Sequence, residues 1–181
     1  MRAKSVFQIS ILMLGLTCMH VFSESFYEFS FGGSKLALDI DQKRSVQRED
    51  NSTAATFSLG AYRHASTKSA LGAVIEYTLP VRREEILPGS GRLVGFRVLN
   101  YLRYIGDEAS VEAYAGAAQY QWHKTANGYL LGVSYKHGLL GQNIGLIADF
   151  KYYQDLAYDF DGGNDIIVDG FNSSLKLFYR F

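Results

Sequence analysis

From about residue 24 onward, apolar and polar residues alternate along most of the chain. The segment FNSSLKLFYRF, 171–181, shows this most plainly. Phe181, Tyr179, Leu177, Leu175 and Ser173 fall on one face, and Arg180, Phe178, Lys176, Ser174 and Asn172 on the other. A period of two is the signature of a strand. The same period predicts seven further strands, near 27–38, 53–63, 70–79, 92–105, 110–122, 129–137 and 143–153. In most of them the apolar set is continuous: Phe57, Leu59 and Ala61 in one, Leu71, Ile75 and Tyr77 in the next, Ile144, Leu146, Phe150 and Tyr152 in a third. The opposite faces carry Ser, Gly, Thr and charges.

Two places break the rhythm. At Gly33-Ser34-Lys35 the alternation slips by one before resuming at Leu36 and Leu38, as a β-bulge would make it. In the fourth strand, parity puts Leu99 on the polar face and Asn100 on the apolar face, against the chemistry of both.

The connections alternate in length. Asp39–Ser52, Pro80–Gly91, His123–Gly128 and Gln154–Gly170 are expected as loops at one end. His64–Ser69, Gly106–Ala109 and Gly138–Gln142 are expected as turns at the other. Aromatics mark both ends of the strands. Phe26, Tyr27, Tyr62, Tyr104, Tyr135, Tyr179 and Phe181 lie toward the turns, and Tyr77, Trp122, Tyr129, Tyr152 and Phe171 toward the loops. Two aromatic girdles are what a membrane-spanning sheet carries at its interfaces.

Residues 1–23 are expected to be a signal peptide removed after Ser23, with Arg2 and Lys4 preceding the apolar run Val6–Leu16. The alternative, a lipid anchor on Cys18, fits poorly because Gly15-Leu16-Thr17 is a weak lipobox. Residues 24–181 then form one domain by length. Thirteen Tyr, twelve Phe and eighteen Gly against two Pro suit a large sheet. A net charge of zero gives no reason to expect nucleic acid.

The final strand, Phe-terminated with Tyr179 two residues earlier, resembles that of small bacterial outer-membrane β-barrels of the OmpX, OmpA-transmembrane-domain and opacity type. The resemblance implies an all-β, eight-stranded antiparallel up-and-down barrel in the outer membrane, with both termini periplasmic. It also implies that Tyr179 and Phe181 are the signal read by the barrel-assembly machinery. Lipid and lipopolysaccharide would then be the surroundings. The rival is a soluble secreted barrel, since alternation alone does not say which face is wet. The Gly- and Ser-rich polar face and the aromatic terminus favour the membrane.

An eight-stranded barrel has an interior just wide enough for side chains. Counting across the turns pairs the expected inward charges as Glu28 with Arg180, Glu76 with Arg97, Arg103 with Glu112, and Asp149 with Lys176. Lys136 and Lys151 are also expected inside. A plug of ion pairs is the expectation, and a narrow porin for ions or very small solutes the alternative.

His64-Ala65-Ser66 has the His-x-Ser spacing of the lipid A deacylases, one family of small outer-membrane barrels. It falls in a turn on the wrong side for that chemistry and lacks an orienting acid, so no enzyme is expected. Gln154–Gly170 holds five aspartates and no Lys or Arg, and its stretch Asp159-Phe160-Asp161-Gly162-Gly163-Asn164-Asp165 resembles a calcium loop. It lacks the EF-hand spacing and terminal Glu, so neither a metal nor any other cofactor is expected. Function would therefore lie in the loops, as surface contact with a host or matrix partner.

Overall fold

A computed structural model describes residues 24–42, 46–80, 92–121, 125–140, 143–158 and 166–181, with only the backbone described at 40–42, 46–51, 80, 157–158 and 166. The expected signal peptide with Cys18, the girdle residue Trp122 and the acidic stretch 159–165 lie outside the described residues. The strands are β1 Ser25–Gln42, β2 Val46–Ser66, β3 Ser69–Pro80, β4 Arg92–Tyr104, β5 Ala109–Gln121, β6 Thr125–Leu140, β7 Ile144–Tyr158 and β8 Ile166–Arg180. Each pairs antiparallel with its sequence neighbour, and β8 pairs with β1, closing the barrel. Phe181 completes the closure. Its backbone exchanges hydrogen bonds with Tyr27, at 2.9 and 3.0 Å, and its ring stacks on those of Tyr27 and Tyr179.

Around the middle of the barrel and toward the turns, outward residues are large and apolar: Phe29, Phe31, Leu59, Ile75, Leu131, Val133, Phe150, Leu175 and Leu177 are all exposed. The inward set is polar, including Glu28, Ser30, Thr56, Glu76, Glu112 and Ser134. A continuous apolar outer surface of this extent needs a non-aqueous neighbour. Among the described residues, no helix is long and apolar enough to cross a membrane; here strands supply the apolar belt.

Toward the loops the polarity turns inside out. Leu36, Leu38, Leu93, Ala118, Tyr120, Ala126, Leu130, Tyr153, Leu156 and Val168 point inward and pack as one core. Outward positions toward that end include the polar Lys35, Thr53, Arg92, Gln121, Thr125 and Gln154, with Ala37, Tyr129 and Phe171 among them, all exposed. Gln119 and Asn127 hydrogen-bond each other on the outer surface at 3.0 Å. This end has the organisation of a water-soluble barrel.

The inversion corrects two expectations. Gly33-Ser34-Lys35 is not a bulge: β1 keeps an unbroken register with β2 and β8 through it. The slip in the sequence is the point where apolar residues move from the outer to the inner face. Much of the expected loop Asp39–Ser52 is strand, because β1 runs on to Gln42 and β2 begins at Val46. β7 and β8 likewise extend to Tyr158 and from Ile166, into the expected loop Gln154–Gly170.

A bulge does occur in β4. Between Arg97 and Asn100, two residues, Val98 and Leu99, oppose one on each neighbour. Both point outward, 47% and 71% exposed. The extra residue switches the parity of the rest of the strand, so Asn100 and Leu102 face in and Tyr101 and Arg103 face out. Asn100 Nδ2 donates to the carbonyls of Arg97, at 2.9 Å, and Gly72, at 3.2 Å, satisfying backbone acceptors that the bulge disturbs.

Candidate functional site

The alternation of the strands sends nine charged side chains into the barrel, all buried: four carboxylates, Glu28, Glu76, Glu112 and Asp149, and five cations, Arg97, Lys136, Lys151, Lys176 and Arg180. They form two clusters. At mid-height, Glu76 accepts from Arg97, Lys151 and Lys176, the last at 3.1 Å. Asp149 faces the same three cations at 3.1, 3.0 and 3.1 Å, and also accepts from Tyr114 OH at 2.5 Å. The Arg97 guanidinium lies 3.8 Å from the Tyr114 ring centroid. No single carboxylate could serve these cations alone; each of the two is shared.

Nearer the turns, Glu28 accepts from Arg180 Nε at 2.8 Å and from Lys136 Nζ at 2.6 Å. Lys136 also reaches Glu112 at 3.0 Å. Glu112 accepts from Tyr62 OH at 2.6 Å and Ser134 Oγ at 3.0 Å. Tyr62 further packs with Ala70, Val74 and Leu102, beside Phe26 and Tyr104, in a small apolar cluster below these charges. Burying charge in this way is tolerable only when each group is paired and hydrogen-bonded.

The structure brings together three of the four pairs read from the sequence: Glu28 with Arg180, Glu76 with Arg97, and Asp149 with Lys176. It separates the fourth. Arg103 lies outside the barrel opposite Val111, because the β4 bulge shifts it by one residue, and Glu112 is served by Lys136 instead. Phe26, Tyr62 and Tyr104 are not in the outer girdle as expected, but sit at the inner cluster. Parity alone could have found Tyr62, since Phe57, Leu59 and Ala61 take the outer positions of β2. Tyr104 needed the bulge as well.

The His-x-Ser residues sit at the turn end. The His64 ring rests against those of Phe26 and Tyr104. Ser66 Oγ is 2.7 Å from Ser69 Oγ. Among the described residues, no group of three or more His, Cys, Asp or Glu is placed to hold a metal ion. In the acidic segment, the Asp155 backbone N–H donates to Asp169 Oδ1 at 2.7 Å, bracing the irregularity between Tyr153 and Leu156 where Asp155 is left-handed.

No protein-family model matches the chain, and no curated protein matches it. Solved structures do. Ail, the attachment invasion locus protein of Yersinia pestis, solved in complex with the heparin analogue sucrose octasulfate, superposes with a TM-score of 0.56 at 14% identity, covering 87% of this chain and 99% of that one. Ail in a phospholipid bilayer nanodisc gives 0.52 at 14% identity, over 87% of this chain and 100% of that one. Neisserial surface protein A gives 0.54 at 9% identity, over 88% and 100%. At such identities the likeness is one of fold, and the fold is that of the small eight-stranded outer-membrane barrels of the OmpX and OmpA kind.

Proposed function

We propose that the chain is an integral outer-membrane protein whose interior is plugged and whose work is done by its loop end, in contact with another surface. The observation that carries this is the inside-out change of polarity along the strands. An apolar belt crosses the bilayer, the interior at that height is taken up by paired charges, and the loop end stands in water on its own apolar core. Both termini then lie in the periplasm and the loop end faces outward. Ail, whose fold this chain shares, is named for attachment and binds a heparin analogue. The segment 154–170 here holds only acidic charges, which suits a basic partner on a host or matrix surface better than a sulfated sugar.

The protein is not an enzyme in this reading. His64 is held by aromatic rings and Ser66 by Ser69, which supports that reading over a nucleophile and base. Lipid and lipopolysaccharide are its surroundings. Tyr179 and Phe181 are its assembly signal, supported by the place of Phe181 at the β1–β8 seam. Two measurements test the reading. Planar bilayers containing the purified protein should show no steady conductance, and cells displaying it should attach to a basic protein surface in a salt-sensitive manner. Steady conductance replaces the plug with a narrow porin. Attachment that is unchanged when 155–169 is shortened removes the role of that segment.

A further inference from the structure

We propose that the outer wall carries a binding site for one phosphate-bearing acylated lipid, with Lys35 holding the headgroup and a groove beneath it holding an acyl chain. The inference rests on the membrane-spanning reading above. A groove of about 770 Å³ follows neighbouring strands around the wall. It runs between two rows of outward residues in continuous register. One row includes Ala148, Leu175 and Gly33; the other includes Phe150, Ser173, Lys35 and Thr53.

At its β8–β1–β2 end the second row becomes polar. Ser173, Lys35 and Thr53 are direct register partners across three strands, and all three are exposed. This places an ammonium between two hydroxyls on an otherwise apolar wall. Among the described residues, no carboxylate forms an ion pair with Lys35. A lysine at the edge of a lipid-facing belt is costly unless it extends to the interface and finds an anion there. On the outward row of β1, Lys35 lies between the apolar Phe29 and Phe31 and the charged Asp39, two residues from Gly33 on the loop side, toward the rim of the belt.

The other half of the site is an absence of bulk. Gly33, directly below Lys35 on the same face, is exposed, and a Cβ built there meets nothing within 4 Å. Glycine weakens a strand interior, and no tight approach or left-handed backbone requires it at this position. Leu175 on one side and Ala55 on the other wall this gap. An acyl chain descending from a phosphate at Lys35 fits it. The occupant is therefore a lipid with an anionic phosphate headgroup, not a soluble phosphate or a protein.

Native mass spectrometry of the full protein, released from mixed phosphatidylglycerol and phosphatidylcholine nanodiscs, tests this. Wild type should retain one phosphatidylglycerol in preference to phosphatidylcholine. Lys35→Gln should reduce that retention about fivefold, the value of one lysine at a membrane surface, and Lys35→Arg should restore it. Gly33→Leu, which fills the gap and leaves the charge, should also reduce it. Lys68→Gln, at the turn end, should not. Inorganic phosphate should not displace the lipid. Equal retention by all variants, loss in Lys35→Gln without loss in Gly33→Leu, or displacement by phosphate would each overturn the site. Heat-modifiable migration and flotation with phosphatidylcholine vesicles, scored for every variant, test the membrane reading separately. A protein that floats yet shows no lipid preference loses the site alone.

Discussion

Below Gly33, β1 turns Phe29 and Phe31 outward and buries Glu28 and Ser30. Above it, the same strand turns Lys35 and Asp39 outward and buries Leu36 and Leu38. The backbone is unchanged between the two stretches; only the solvent outside differs. Where hydrocarbon surrounds the wall, apolar side chains go out and the interior must satisfy its charges within itself. Where water surrounds it, the ordinary rule of a soluble barrel returns, and the interior is Leu, Tyr, Ala and Val. The two halves therefore draw stability from different sources. The first depends on charge pairing and lipid contact, and the second on apolar packing.

The largest effect should come from breaking the charge pairing in the first half. Glu76→Leu leaves Arg97, Lys151 and Lys176 facing Asp149 alone, and a stranded buried charge costs about 3–5 kcal/mol. Glu76→Leu combined with Lys151→Met should recover part of that loss, because it removes a cation together with its acceptor. Urea unfolding of the refolded barrel, run as a double-mutant cycle, measures both. Additive losses would show that the cluster is not coupled.

The next effect concerns the outer wall and locates the boundary between the halves. Ile75, next to Glu76 in sequence but on the opposite face, is 50% exposed in the belt. Ile75→Lys should cost about 2–4 kcal/mol, as for a charge facing mid-bilayer lipid. Gln119→Leu, on the outer face of the loop-end half, should stay within about 0.5 kcal/mol. Similar costs at both positions, in lipid vesicles, would erase the distinction between the halves.

A smaller loss is expected at the β4 bulge. Asn100→Ala removes two hydrogen bonds to backbone carbonyls inside the barrel, and leaving such groups unsatisfied costs about 1–3 kcal/mol. Asn100→Asp should not rescue it, because a carboxylate cannot donate to a carbonyl. A stability equal to wild type in either variant would remove the bracing role.

The strand count, the antiparallel order and most inward charges were legible in the sequence, because a period of two survives wherever both faces keep one chemistry. What was not legible is how to interpret a slip. The slip at Gly33–Lys35 and the mismatch at Leu99 and Asn100 look alike along the chain. One is a change of surrounding medium with the register intact; the other is an inserted residue with the medium unchanged. Only the partner strands tell them apart. The extent of β1 and β2 was hidden for a related reason. The stretch from Asp39 to Ser52 is polar enough to pass for a loop, yet its backbone up to Gln42 and from Val46 pairs as strand.

The same distinction decides Arg103, where the smallest effect is expected. If β4 kept the register of Arg92–Arg97 without a bulge, Arg103 would point inward opposite Ser110 and diagonal to Glu112, and losing either charge would strand the other. With the bulge, Arg103 is exposed on the outer wall at the turn end, opposite Val111. Arg103→Ala should then change stability by less than about 0.5 kcal/mol, like other surface positions. Glu112→Ala should behave differently. It removes the acceptor of Tyr62 OH and Ser134 Oγ and one of the two carboxylates serving Lys136, so a loss of several kcal/mol is expected. The double variant Arg103→Ala with Glu112→Ala should match Glu112→Ala alone, since the two side chains do not interact. A double variant more stable than Glu112→Ala would put Arg103 back inside the barrel and remove the bulge.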